Sequence, residues 1–98
     1  MNLDEFLKSA ASDDEPPADL STPLLALWYA ERGDWDKAHT IAQELHTRDG
    51  SWIHANLHRQ EGDSWNARYW YDQAGKPESK KTFAAERREI IAAVLAEK

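Results

Sequence analysis

His54 and His58 stand four residues apart in the string Trp52-Ile53-His54-Ala55-Asn56-Leu57-His58-Arg59. On a helix that spacing puts both imidazoles on one face, where they can share an anion, a small polar ligand or one metal ion. Arg59 adjoins them, so a ligand pocket would be built on His54, His58 and Arg59. A metal would need a third ligand from His39, His46 or a carboxylate, and nothing in the spacing demands one. No His-Glu-x-x-His string occurs, so the helical zinc-protease arrangement is missing. The same pair also has an architectural use. Buried imidazoles require hydrogen-bond partners, and Tyr69, Tyr71, Asn66, Glu61 or an indole N–H can supply them in a network that fixes helix packing. No metal site and no cofactor are assigned from the sequence.

A second set of residues suits recognition. Trp52, Asn56 and Arg59 fall on one side of the same helix, and asparagine with arginine can hold a peptide backbone or a terminal carboxylate. The chain carries five tryptophans. Trp65, Tyr69, Trp70 and Tyr71 cover more than one face of a single helix, so that helix is either buried on two sides or turns some rings toward a groove. Arg59 and Arg68 are placed to stack on these rings. Tyr69 and Trp70 therefore join Trp52, Asn56 and Arg59 as candidate partner contacts, since Trp, Tyr and Arg dominate interface hot spots. No residues are assigned to catalysis: there is no cysteine and no glycine-rich phosphate loop, and Ser51 and Ser64 read as cap or turn residues. The expectation is a non-enzymatic protein.

The elements that position these residues follow from a repeat. Leu25-Ala26, Tyr29, Gly33-Asp34, Ala38 and Ala42 are followed 29 residues later by His54-Ala55, His58, Gly62-Asp63, Ala67 and Tyr71. A period of this size marks stacked helical hairpins, each too small to bury its own face. Within each unit the glycine can end one helix in the left-handed conformation and the aspartate can cap the next. The alignment sets the two histidines where the first unit has leucine and tyrosine, at a partly buried seam.

The spacing predicts a short helix over 3–10, docked by Phe6 and Leu7, then an acidic, proline-bearing linker. Core helices are expected from Thr22-Pro23 to Gly33, over 35–46, from Ser51 to Glu61 after an Asp49-Gly50 turn, and over 64–74. A last helix is expected over 79–97, with Phe83, Ile90, Ile91, Val94 and Leu95 as its apolar stripe. Lys76, Lys80, Lys81, Arg87 and Arg88, interrupted by Glu78, Glu86 and Glu89, read as a solvated face. The organisation is thus an N-terminal arm, 1–20, and a helical-repeat domain, 21–98, with no strand.

Leu25, Ala26, Tyr29, Gly33, Asp34, Trp35, Ala38 and Leu45, then Ala55, Gly62, Asp63, Ala67, Tyr71, Ala74 and Pro77, give residues 20–77 a pattern that resembles the tetratricopeptide repeat. The period is shorter than that family's, which is about 34 residues. The resemblance implies an all-α fold of two antiparallel hairpins with a C-terminal capping helix, and a concave surface lined by the first helix of each pair, at Asn56 here. The strings Ala26-Leu27-Trp28-Tyr29, Gly33-Asp34-Trp35-Asp36-Lys37-Ala38-His39, Trp52 to Asp63 and Trp65 to Tyr71 are also similar to a group of small uncharacterised bacterial proteins. That implies a bacterial cytosolic origin and the same fold, and no activity.

Composition narrows the partner. The formal net charge is −6, and residues 1–20 carry six acids and one lysine, leaving the body close to neutral. No nucleic-acid footprint is visible. No apolar run approaches the roughly 20 residues of a membrane span, and the acidic start lacks the pattern of a signal peptide. The absence of cysteine in so small a domain favours a reducing cytoplasm. The expected function is a cytoplasmic adaptor for a protein or peptide, with a homodimer as another way to complete the stack. A small-ligand or metal-binding protein centred on His54 and His58 is the alternative.

Overall fold

The computed structural model describes residues 1–97. It is all-α: six helices and, among the described residues, no strand. They are α1 (Leu3–Ser12), α2 (Thr22–Arg32), α3 (Trp35–Gln43), α4 (Arg48–Glu61), α5 (Ser64–Ala74) and α6 (Phe83–Leu95). Lys98, the end of the expected second segment, lies outside the described residues.

The two Gly-Asp pairs have one local structure. Gly33 and Gly62 are left-handed at φ +94° and +83°, and Asp34 and Asp63 follow at φ −91° and −94°, both with ψ 77°. In each, the aspartate N–H donates back to the preceding helix, to Tyr29 O and His58 O, both at 2.9 Å. Each aspartate side chain accepts from the backbone N–H three residues on, Lys37 and Asn66, both at 3.2 Å. One helix end and the next helix start are thus satisfied within nine residues, which makes the connection short and stiff. Ala26, Ala38, Ala55 and Ala67 are all buried in the core, where a small side chain lets neighbouring helices approach closely.

α4 is the central element, packing against α2, α3, α5 and α6. Every residue from Gly50 to His58 is buried. It is also polar, so Ser51, His54, Asn56 and His58 come into the interior with it. Its start differs from the expected Asp49-Gly50 turn with Ser51 as cap. Thr47 is the cap, its hydroxyl accepting from Gly50 N–H at 3.0 Å, and Asp49-Gly50 is the first helical turn. Glycine is required there for proximity: a Cβ on Gly50 would fall 2.5 Å from the Leu45 Cβ. α3 correspondingly stops at Gln43, short of the expected 46.

α1 belongs to the same core as the rest. Phe6 is fully buried, and Trp28 Nε1 donates to Ser9 Oγ at 3.1 Å. Arg32, at the end of α2, donates to Asp13 O, tying down the far end of α1. α6 begins at Phe83, four residues later than expected, because Thr82 caps it by accepting from Ala85 N–H at 3.1 Å. Ile90, Ile91 and Val94 are buried as the stripe requires, whereas Phe83 is exposed.

Candidate functional site

α4 carries two polar faces that meet different neighbours. His54 and His58 look toward α3 and α5, and the fold brings His39 of α3 to them. His54 Nε2 and His39 Nε2 are 2.9 Å apart, one donating and the other accepting. The candidate ligand nitrogens of His39, His54 and His58 all lie within 4.8 Å of one another. His58 Nδ1 sits 3.2 Å from Glu61 Oε1, one helical turn along.

Two indoles hold these rings. Trp35 stacks on His39 with centroids 4.7 Å apart and planes within 10°, and Trp35 is anchored by donating Nε1–H to Leu57 O at 2.8 Å. Trp70 of α5 stacks on His54 at 3.9 Å and 12°. His54 in turn stacks on His58 at 4.9 Å. Burial pushes the His54 imidazole down to about 4, helped by the adjacent His39 and His58, and burial followed by His58 also lowers His39. His54 is therefore neutral at pH 7, with one ring nitrogen's lone pair available to a proton donor or a metal. His39 is half-buried and Glu61 exposed, so the cluster reaches solvent on that side.

The other face of α4 meets α6, and here the expected groove is corrected. Trp52, Asn56 and Arg59 do lie on one side of the helix, but α6 occupies that side. Asn56 is 1 % exposed and Trp52 is buried. Their common partner is Glu86, itself 1 % exposed. Glu86 Oε1 accepts from Asn56 Nδ2 and from an Arg59 guanidinium nitrogen, both at 2.9 Å, and Oε2 accepts from Trp52 Nε1 at 3.1 Å and the Tyr71 hydroxyl at 2.6 Å. Burial and the Glu86 contact raise the Tyr71 phenol above its ordinary range. Arg87 extends the network, donating Nε–H to Asn56 Oδ1 at 2.8 Å, a second nitrogen to Ala30 O at 3.2 Å, and a third to Gln60. The guanidinium of Arg59 is committed to Glu86 and Lys81 O, so it does not complete a pocket with His54 and His58.

The expected solvated cluster is corrected at two positions for the same reason: Glu86 and Arg87 are interior residues, while Lys76, Glu78, Lys80, Lys81, Arg88 and Glu89 are exposed as expected. A trace of this is present in the sequence. Positions 83, 87, 90, 91 and 94 form one helical stripe with 86 at its edge, so a Glu-Arg pair set into an apolar stripe marks a buried polar network. His39 carries no comparable mark, because its neighbours on α3 are those of an ordinary surface helix.

The aromatic helix α5 divides as its pattern requires. Tyr71 is buried against Glu86 and Trp70 is half-buried against His54, while Trp65 is 72 % exposed and Tyr69 52 %. Tyr69 meets Trp70 edge to face at 5.1 Å. The expected stacking of Arg59 and Arg68 on these rings is replaced elsewhere: Lys76 Nζ lies 4.1 Å above the Trp52 ring, and Arg32 covers Trp28. No helix among the described residues is long and apolar enough to cross a membrane. Comparisons of the chain with family models, with curated proteins and with solved structures find no match.

Proposed function

We propose that this chain is a non-enzymatic interaction module which binds a protein or peptide partner along the outer face of α5. The observation that carries the reading is the exposure of Trp65 and Tyr69, two large aromatic side chains four residues apart and hence neighbours on one face. Leaving a tryptophan in water forgoes roughly 3–5 kcal/mol of burial that a partner can recover. Beside them lies an open cleft of about 390 Å³ whose lining includes Tyr69, Trp70, Gln73, Arg48 and Ser51. An apolar rim next to polar and cationic groups suits an extended peptide. Trp52, Asn56 and Arg59 enter this reading indirectly: they fasten α6 and so keep α4 and α5 in place.

A tetratricopeptide-like arrangement goes with this function. It is supported by the matching geometry of the Gly33-Asp34 and Gly62-Asp63 connections, 29 residues apart. A net charge of −6 favours protein over nucleic acid as partner, and the absence of cysteine favours a reducing cytoplasm. The test is affinity capture from lysate with the wild-type chain and with Trp65→Ser and Tyr69→Ser, each checked for native circular dichroism. Partners retained by the wild type should be lost from both variants. Recovery of the same partners at the same yield on all three baits would remove α5 as the docking face.

A further inference from the structure

We propose that His39, His54 and His58 form a binding site for one divalent transition-metal ion of the zinc type, with Glu61 orienting His58. The site adjoins the docking cleft at Trp70, which stacks on His54, but it does not depend on a partner binding there.

The first argument is the donor set. Three imidazoles from two helices converge so that their ligand nitrogens lie within 4.8 Å of one another. Zn–N bonds of about 2.0–2.1 Å at tetrahedral angles set N···N separations of roughly 3.3–3.4 Å. The His39–His54 edge, at 2.9 Å, needs to open by only a fraction of an ångström. The third nitrogen, within 4.8 Å of the other two, must close by up to about 1.5 Å. Imidazole ligands without thiolate select zinc, copper, nickel or cobalt over calcium and magnesium.

The second argument is the surroundings. Glu61 against His58 Nδ1 is the carboxylate–imidazole arrangement that directs Nε2 of the same ring toward an ion. Trp35 and Trp70 clamp His39 and His54 by stacking, so the ligating rings are ordered before any ion arrives. The charge is also of the right sign. Asp36 and Glu61 both act on His39, and Asp63 lies within reach of His58 and Glu61. A cation placed among three neutral imidazoles and these carboxylates gains charge compensation that the hydrogen-bonded cluster alone does not offer.

The third argument is the comparison between the two halves of the chain. At the positions of His54 and His58, the first unit has Leu25 and Tyr29. That pair is only half-buried, whereas His54 and His58 are buried, so the second unit takes two imidazoles out of water at positions where the first leaves its side chains partly in solvent. Solvent reaches the cluster past half-buried His39 and exposed Glu61, which gives an ion its entry path.

The experiment uses the full chain freed of metal by a chelator. Co²⁺ is titrated first for its ligand-field absorption, then displaced by Zn²⁺, with calorimetry giving stoichiometry. One ion per chain and a tetrahedral cobalt spectrum are expected. His39→Gln and Glu61→Gln are made at half-buried His39 and exposed Glu61, and each variant is first checked for native circular dichroism. The first should weaken binding at least about 100-fold and the second about 10-fold, the range seen for outer partners of metal-bound histidine. His46→Gln, on a separate exposed histidine, should leave affinity unchanged. The proposal is overturned if neither ion binds at one per chain below about 100 µM, far weaker than structural zinc sites. It is equally overturned if His39→Gln binds within threefold of the wild type. Either result would leave the three rings as a hydrogen-bonded packing network.

Discussion

Replacing Glu86 by glutamine changes one atom and tests whether the buried carboxylate holds α6 to the domain. The wild-type side chain accepts four hydrogen bonds, two on each oxygen, from Asn56, Arg59, Trp52 and Tyr71. Glutamine offers one acceptor oxygen and one donor NH₂. If the NH₂ faces Asn56 and Arg59, two donors oppose it; Asn56 cannot turn over without breaking its bond from Arg87. If it faces Trp52 and Tyr71, the phenol can rotate and accept, but the Trp52 indole can only donate. The better orientation thus leaves at least the Trp52 indole N–H without an acceptor, costing about 1–3 kcal/mol. It also removes the charge opposite Arg59 and weakens the remaining bonds, adding about 1–2 kcal/mol. A total of about 2–5 kcal/mol stands against a domain stability on the order of 5–10 kcal/mol. With a urea dependence of about 1–1.5 kcal/mol per molar for a chain this small, the unfolding midpoint should fall by roughly 1–5 M. Urea unfolding followed by tryptophan fluorescence and by helix ellipticity reads this directly. Tyr71→Phe supplies the cross-check, since its cost should differ by at least about 1 kcal/mol between the wild-type and Glu86→Gln backgrounds. A midpoint drop under about 0.5 M, or strict additivity of the two substitutions, would refute the buried-carboxylate argument.

Two further predictions concern other parts of the chain. Gly50→Ala should destabilise by about 1–3 kcal/mol despite the better helix propensity of alanine, because the added methyl meets the Leu45 Cβ and carbonyl oxygen; thermal unfolding checks this, and a rise in melting temperature would contradict it. In metal-free protein, His54 binds its proton far less readily when folded than when unfolded, so its contribution is fully present above pH 6.5 and declines as the pH falls toward about 4, by up to about 3 kcal/mol in all. His54→Phe keeps a ring against Trp70 and cannot titrate, so its stability profile should be flatter over that window; parallel acid profiles for the two proteins would count against it.

What could be read along the chain was whatever is decided within a few residues. Gly33-Asp34 and Gly62-Asp63 end one helix and start the next through contacts confined to nine positions, so the all-α composition and the bounds of α5 were legible. The joint face of His54 and His58 follows equally from helical geometry. What the tertiary structure alone decided lies across the seams. Asp49-Gly50 looks like a turn until Leu45 folds against it and only glycine fits. Trp52, Asn56 and Arg59 make a plausible open groove until α6 covers them, and Glu86 and Arg87 pass for surface charges until the same contact takes them out of water. His39 joins the other two histidines only because α3 lies beside α4. The physical reason is common to all of these. Capping and helical phase are local free energies, whereas the environment of a polar side chain depends on which distant helix excludes water from it, and that is settled only when the whole core closes.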